Sequence, residues 1–283
     1  MVYFEIDANK CIKCSTCIEV CPSIVLTLGD NSSQVSRPEY CISCGHCAAV
    51  CPQDAVIPIE NKGNRAFSIQ PIPRDLPGDQ ALFQKKRSIR KYKPDTLDQH
   101  TIKELIQYAE KAPSAHNFRN REYLVVLDKE KIDEMEKLVA KTYKSLIRRL
   151  NPLMIKIISL FSKALAHELK EMVPGFKLLV KKVSEGESPI FRHAPCVIFI
   201  IAPKGGSNSK DDCTAAQHYM MLYGQTRGIG SCIIGYAQYA HKPLERYLGI
   251  PGNKQIFAIS VYGYPTYQYK KTVLRNEPPI IWK

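Results

Sequence analysis

Cys11-Ile12-Lys13-Cys14-Ser15-Thr16-Cys17-Ile18-Glu19-Val20-Cys21-Pro22 returns thirty positions later as Cys41-Ile42-Ser43-Cys44-Gly45-His46-Cys47-Ala48-Ala49-Val50-Cys51-Pro52. Each cysteine of the first run has a counterpart in the second. Two-residue gaps let three thiolates converge on one face of an iron–sulfur cubane. The fourth, carried onward before the proline, cannot reach that cubane and ligates the other one. This rule groups Cys11, Cys14, Cys17 and Cys51 around one [4Fe–4S] centre, and Cys41, Cys44, Cys47 and Cys21 around a second. The plainer alternative is a pair of structural zinc sites, since paired thiolates also suit zinc. It leaves the repeated x3-Cys-Pro ending without a reason.

Residues 1–60 thereby resemble a bacterial two-cluster ferredoxin, a small α+β domain that moves electrons singly. The remaining length of the 283-residue chain leaves room for one larger domain. Eight of the eleven cysteines belong to the two runs; Cys196, Cys213 and Cys232 sit in apolar or helical surroundings and read as buried hydrophobes. Clusters of this kind need reduced thiols, which points to a reducing, anaerobic cytoplasm. Tyr3-Phe4-Glu5-Ile6-Asp7 lacks the pattern of a signal peptide. No apolar run reaches the roughly 18 residues of a membrane span.

Charge is unevenly placed. Residues 1–60 carry three basic and seven acidic groups, a balance of −4, whereas the whole chain stands at +13. The basic excess therefore belongs to the second domain, and nothing in its pattern marks a nucleic-acid partner. Residues 61–80, rich in proline and polar groups, read as a linker. Thr96 or Asp98 can cap a helix bearing Ile102, Leu105, Ile106 and Ala109. Apolar strands are expected at 123–127, 196–201, 231–234 and 256–261, with a helix over 211–227. Such interleaving argues for a sheet covered on both faces. A helical insertion occupies about 130–190, and its 141–182 stretch holds ten Lys or Arg against two Glu. Three readings of that stretch stand: a solvated hairpin, a basic cap over a site or partner surface, and, less favoured, a peripheral membrane contact.

Four segments of residues 81–283 together resemble the FMN-dependent nitroreductase family. Lys86-Arg87-Ser88-Ile89-Arg90 matches its phosphate-binding R-x-S-x-R run. Ala112-Pro113-Ser114-Ala115-His116-Asn117 matches its flavin-contacting loop. Gly228-Ile229-Gly230-Ser231-Cys232-Ile233-Ile234-Gly235 matches its G-L-G-x-C-x-I-G strand. Gly263-Tyr264-Pro265, with Lys271 and Arg275 beyond, matches its closing strand. The resemblance implies an α+β fold, a mixed sheet flanked by helices, that dimerises around FMN. It implies that Lys86, Arg87, Ser88 and Arg90, supported by Lys271 and Arg275, hold the phosphate end. Guanidinium forks suit a phosphate's oxygens. Pro113, Ser114 and Asn117 are then expected to contact the ring from the neighbouring chain, and Cys232, Ile233, Ile234 and Gly235 to line it. The pattern departs from the family at Arg119-Asn120-Arg121, where Gln-Pro-Trp is frequent, and at His193 and His218. His116 is the candidate proton donor.

The implied activity is that of a ferredoxin-linked, FMN-dependent reductase. Electrons pass from a low-potential ferredoxin- or flavodoxin-type donor through two clusters to FMN, and on to a nitroaromatic, quinone, activated alkene or flavin. The alternative is a relay that delivers electrons to a partner protein. The basic insertion is expected as a lid, because Leu153, Ile157, Leu160 and Phe161 need something to bury against.

Overall fold

A computed structural model describes residues 3–59, 67–73, 77–206, 208–275 and 277–283. The chain forms two compact units, one of residues 1–86 and 266–283, the other of residues 87–265.

The first unit is built on the repeat. Strands β1 (Phe4–Ile6) and β4 (Val56–Pro58) pair antiparallel, as do β2 (Leu26–Leu28) and β3 (Ser33–Val35). Between them lie one-turn helices α1 (Thr16–Glu19) and α2 (His46–Val50). Each helix is entered through a left-handed residue, Ser15 at φ 60° and Gly45 at φ 71°. Phe4, Val25, Leu26, Ala48, Val56 and Phe67 form its core. The expected linker is more structured than its composition suggests. Phe67–Pro71 is a strand, β5, and Gly78–Lys85 a helix, α3; positions 61–66 and 74–76 of that linker lie outside the described residues. The partner of β5 comes from the far end of the chain. It is β10 (Lys271–Arg275), with Lys271 opposite Pro71 and Arg275 opposite Phe67.

The second unit is a four-stranded antiparallel sheet in the order β6-β7-β9-β8. These strands span Glu122–Val126, Cys196–Pro203, Lys254–Gly263 and Gly230–Ile233 respectively. A single parallel bridge, Ser88 to Ser231, extends its β8 edge. Helices cover both faces, which explains why β7 is apolar at nearly every position. Val197, Phe199 and Ile201 point to one core with Met135, Val139 and Phe191, and Cys196, Ile198 and Ile200 point to the other with Leu105 and Met220. Helices α4 (Gln99–Ala109) and α8 (Ser209–Thr226) carry that second core. Asp98 caps α4, accepting from the Thr101 amide at 2.8 Å.

The insertion forms three helices, α5 (Lys129–Arg149), α6 (Pro152–Phe161) and α7 (Lys163–Ser184). α5 and α7 bury Met135, Val139, Tyr143, Phe176 and Leu179 in the first core. α6 does not follow them. Leu153, Ile157, Leu160 and Phe161, expected to find cover, are exposed. Short helices α9 (Gly235–Gln238) and α10 (His241–Tyr247) complete the unit.

Candidate functional site

In the first unit the eight cysteines surround two voids. One is walled by Cys21, Cys41, Cys44 and Cys47 with Phe4, Val25, Leu26 and Phe67. The other is walled by Cys11, Cys14, Cys17 and Cys51 with Ile6, Ser33 and Val56. Each run thus contributes three thiols to one void and its fourth to the other. Backbone amides reach the exchanged sulfurs at matched positions: Val25 N–H donates to Cys21 Sγ and Ala55 N–H to Cys51 Sγ, both at 3.3 Å. Burial pushes the Cys47 thiol well up and the Cys17 thiol up as well. The Ser33 amide holds Cys11 below its ordinary value. A thiol buried this deeply becomes a thiolate only with a positive partner at its sulfur, which a cluster iron provides. Four sulfurs spread around a void, with amide donors behind two of them, suit a cubane.

Lys271 and Arg275 lie on β10, within the first unit. The Lys271 ammonium donates to the Cys51 carbonyl at 2.8 Å and pairs with Asp54. Its charge sits beside a cysteine, where pairing with β5 holds the strand. Arg275 lies exposed at the end of the same strand. Lys86 closes α3 as the last residue of this stretch of the unit.

In the second unit, three of the quoted motifs meet. Ser88 bridges Ser231, the Ile89 amide donates to the Ser231 carbonyl at 2.9 Å, and Tyr92 bridges Pro265. Two glycines allow this approach: a Cβ on Gly230 would stand within 3.0 Å of Ile89, and one on Gly263 within 3.0 Å of Pro195 and Tyr92. Arg90 and Cys232 are close enough to bear on the ionisation of both Tyr92 and Arg192. Burial and then the like charge of Arg90 push the Arg192 guanidinium down, while Cys232 and Glu136 act oppositely. Ser231 Oγ is buried with no hydrogen-bond partner. Paired guanidiniums and a waiting hydroxyl fit a phosphate-bearing group. Ile234 is buried, whereas Ile233 and Gly235 are exposed at the end of β8.

Arg192 is absent from the sequence-based set. It sits at φ 63°, followed by His193 at φ 50°, in the turn before β7. Buried Glu136 of α5 fixes that turn, accepting from Ser188 Oγ at 2.7 Å and from the Ile190 and Phe191 amides at 2.8 Å each. No local pattern announces a residue placed from over fifty positions away.

The loop of Pro113, Ser114, His116 and Asn117 lies elsewhere. The Ala115 amide donates to Asp212 Oδ1 at 3.0 Å, near the start of α8. Arg121, where the family often has tryptophan, is buried and braces the loop. It donates to Glu110 at 2.8 Å, to the Ala112 carbonyl at 2.9 Å and to the Asp212 carbonyl at 3.1 Å. Arg119 Nε donates to Asn117 Oδ1 at 2.9 Å; Pro113, His116 and Asn117 are exposed. The loop leads into Glu122, opposite Ile201, whereas Ser231 stands opposite Tyr262 and hence level with Cys196. Five residues of β7 separate those levels, roughly 17 Å of strand. Within one chain, the loop and the arginine site occupy opposite ends of the sheet. His218 faces outward, its Nδ1 2.9 Å from the Thr214 carbonyl.

These features define a flavoprotein-like oxidoreductase unit joined to an iron–sulfur unit. Residues 84–264 match the model of the nitroreductase family and residues 3–52 that of a 4Fe-4S dicluster domain. The chain belongs to the nitroreductase family. It is similar to an iodotyrosine deiodinase of Thermotoga neapolitana, with 20% identity over 65% of this chain and 87% of that protein. Among solved structures it resembles an FMN-bound nitroreductase of Bacteroides fragilis, with TM-score 0.51 and 16% identity over 68% of this chain and 90% of the other. An FMN-bound nitroreductase of Desulfitobacterium hafniense gives TM-score 0.50 and 17% identity over 74% and 95%. The dicluster match spans both cysteine runs, and both of these solved neighbours hold FMN. Among the described residues, no helix is long and apolar enough to cross a membrane.

Proposed function

We propose that the chain is a ferredoxin-linked reductase, taking electrons one at a time from a low-potential ferredoxin- or flavodoxin-type donor and passing them to a small oxidant. Cys11, Cys14, Cys17 and Cys51 ligate one cluster, and Cys21, Cys41, Cys44 and Cys47 the other. The observation that carries the reading is the pair of four-thiol voids within a chain of this flavoprotein family. Bound FMN supplies the exchange between one- and two-electron chemistry. Arg87, Ser88, Arg90 and Arg192 bind and orient its phosphate end, and the Ser231 hydroxyl adds a donor. Cys232, Ile233, Ile234 and Gly235 face its ring side. Nitroaromatics, quinones, activated alkenes and free flavins are the class of oxidant that needs no protein nucleophile.

The separation of the loop from the arginine site supports a homodimer. Pro113, Ser114 and Asn117 would contact a flavin held at Arg90 from a second copy, since roughly 17 Å of sheet divides them from it in one chain. His116, exposed on that loop, would then stand near the ring as a proton donor.

Two measurements test the reading. Replacing Arg87 and Arg90 with Ala removes charge-assisted contacts of roughly 1.5–3 kcal/mol each. FMN is then lost on gel filtration while iron content holds; unchanged flavin affinity would move the phosphate site elsewhere. In anaerobic stopped flow, a reduced ferredoxin should bleach the flavin and NAD(P)H should not. Flavin bleaching by NAD(P)H at the rate of turnover would overturn the ferredoxin link.

A further inference from the structure

Helix α6 is out of keeping with the rest of the second unit. Its sequence, Pro-Leu-Met-Ile-Lys-Ile-Ile-Ser-Leu-Phe, is nearly all apolar, yet its large side chains face solvent. Leu160 is 79% exposed and Phe161 87%, with Leu153, Met154 and Ile157 exposed beside them and Leu165 at the start of α7. Both ends of the helix are closed: the Asn151 side chain accepts from the Met154 amide at 2.9 Å, and Ser162 caps α7 by accepting from the Leu165 amide at 3.2 Å. The apolar face is therefore set on a capped element between two helices that are anchored in the core. A contiguous exposed patch of this kind marks an interaction surface.

The surrounding charge is of one sign. From Lys137 to His167 the chain carries seven Lys or Arg and no Asp or Glu. Arg148 and Arg149 end α5, Lys156 lies within α6 and Lys163 opens α7; all four are exposed. Among the described residues none of the four makes an ion pair, although Lys181 and Lys182 further along α7 do.

We propose that α6 and its flanking cations form a docking surface for an anionic lipid bilayer. Leucine, isoleucine, methionine and phenylalanine entering the acyl boundary, with Lys and Arg at the headgroups, is the chemistry of an interfacial helix. At ten residues, or roughly 15 Å, α6 lies in the interface and does not span it. Charge complementarity selects this occupant over a second copy. A two-fold contact through α6 would bring the same acid-free face against itself and set cations opposite cations. An acidic soluble carrier would satisfy the charges and leave the apolar crown in water. The inference is independent of the electron route proposed above.

The test is co-sedimentation of the full holoprotein with vesicles of phosphatidylcholine alone and of equimolar phosphatidylcholine and phosphatidylglycerol. Binding to the anionic vesicles should exceed binding to the neutral ones at least tenfold (order of magnitude) and fall with added salt. Arg148→Gln with Arg149→Gln should weaken it by roughly 30-fold, at about fivefold per cation. Leu160→Ser with Phe161→Ser should also weaken it by about tenfold or more, with flavin and iron contents unchanged. Absence of binding overturns the proposal. So does binding that the serine pair leaves intact, because a general attraction of a basic protein needs no apolar helix. Loss of oligomer mass in the serine pair, without vesicle binding by the parent protein, would assign the face to a second copy.

Discussion

The two cysteine runs share a backbone and differ in what lies over it. Left-handed residues recur at the same offset: Lys13 and Ser43 at φ 53° and 54°, Ser15 and Gly45 at 60° and 71°, Ile24 and Asp54 at 52° each. The amide-to-sulfur contacts of Cys21 and Cys51 are equal as well. The surroundings are not. Cys14 of the first run is exposed whereas its counterpart Cys44 is half-buried, and Phe67 walls the void of Cys41, Cys44 and Cys47. Val273 of β10 stands against Gly45, where a Cβ would come within 2.7 Å of its side chain. Lys271 of the same strand sits at Cys51, which faces the other void. Short-range spacing makes two equal ligand frames, and strands from distant parts of the chain make them unequal environments.

The equality of the frames is broken most severely at the exchanged cysteines. Cys21→Ser should cost the cluster of Cys41, Cys44 and Cys47 and spare the other. Cys51→Ser should do the reverse, read as iron and sulfide content and as two distinct EPR signals in anaerobic protein. Loss of the same cluster in both variants would end the crossed assignment.

A smaller effect sharpens the difference in cover. Gly45→Ala meets both the left-handed backbone and Val273, so it should destabilise the first unit by about 2–4 kcal/mol. Ser15→Ala, at the matching position, should change it by less than about 1 kcal/mol. Chemical denaturation followed at the cluster absorbance compares them, and equal losses would mean that β10 does not constrain Gly45.

The smallest effect is electrostatic. Lys271→Gln removes a cation beside Cys51 and should lower the potential of one cluster by on the order of 50 mV, from roughly 1 kcal/mol of lost stabilisation of the reduced state. Asp54→Asn, which frees that cation of its carboxylate, should shift the same cluster upward. EPR-monitored titration reads both, and an equal movement of the two clusters would contradict the one-sided placement.

How much of this could be read beforehand follows the range of the interactions. The grouping of the thiols about two voids is legible because seven consecutive residues carry each set of three. The meeting of Arg90 with Cys232 is legible as motifs, since Ser88 and Ser231 bridge within the family's own pattern. Arg192 is not, because its left-handed turn is held by Glu136 across 55 positions. The strand Phe67–Pro71 hides among prolines, and its partner lies beyond the whole second unit. The contacts of Lys271 with Cys51 and Asp54 are hidden for the same reason: they follow from the β5 pairing and not from the residues around it.

That pairing also sets an order of manufacture. Pro71 waits for Lys271, two hundred positions later, before the second cysteine run receives its cover. At about 5–20 residues per second, a ribosome delivers that strand roughly 10–40 s after β5 has emerged. Throughout that interval the thiols of both runs are made and the seal is not. Val273 comes to stand against Gly45 only then, so the cover of the second cysteine run is made two hundred residues after the strand that receives it.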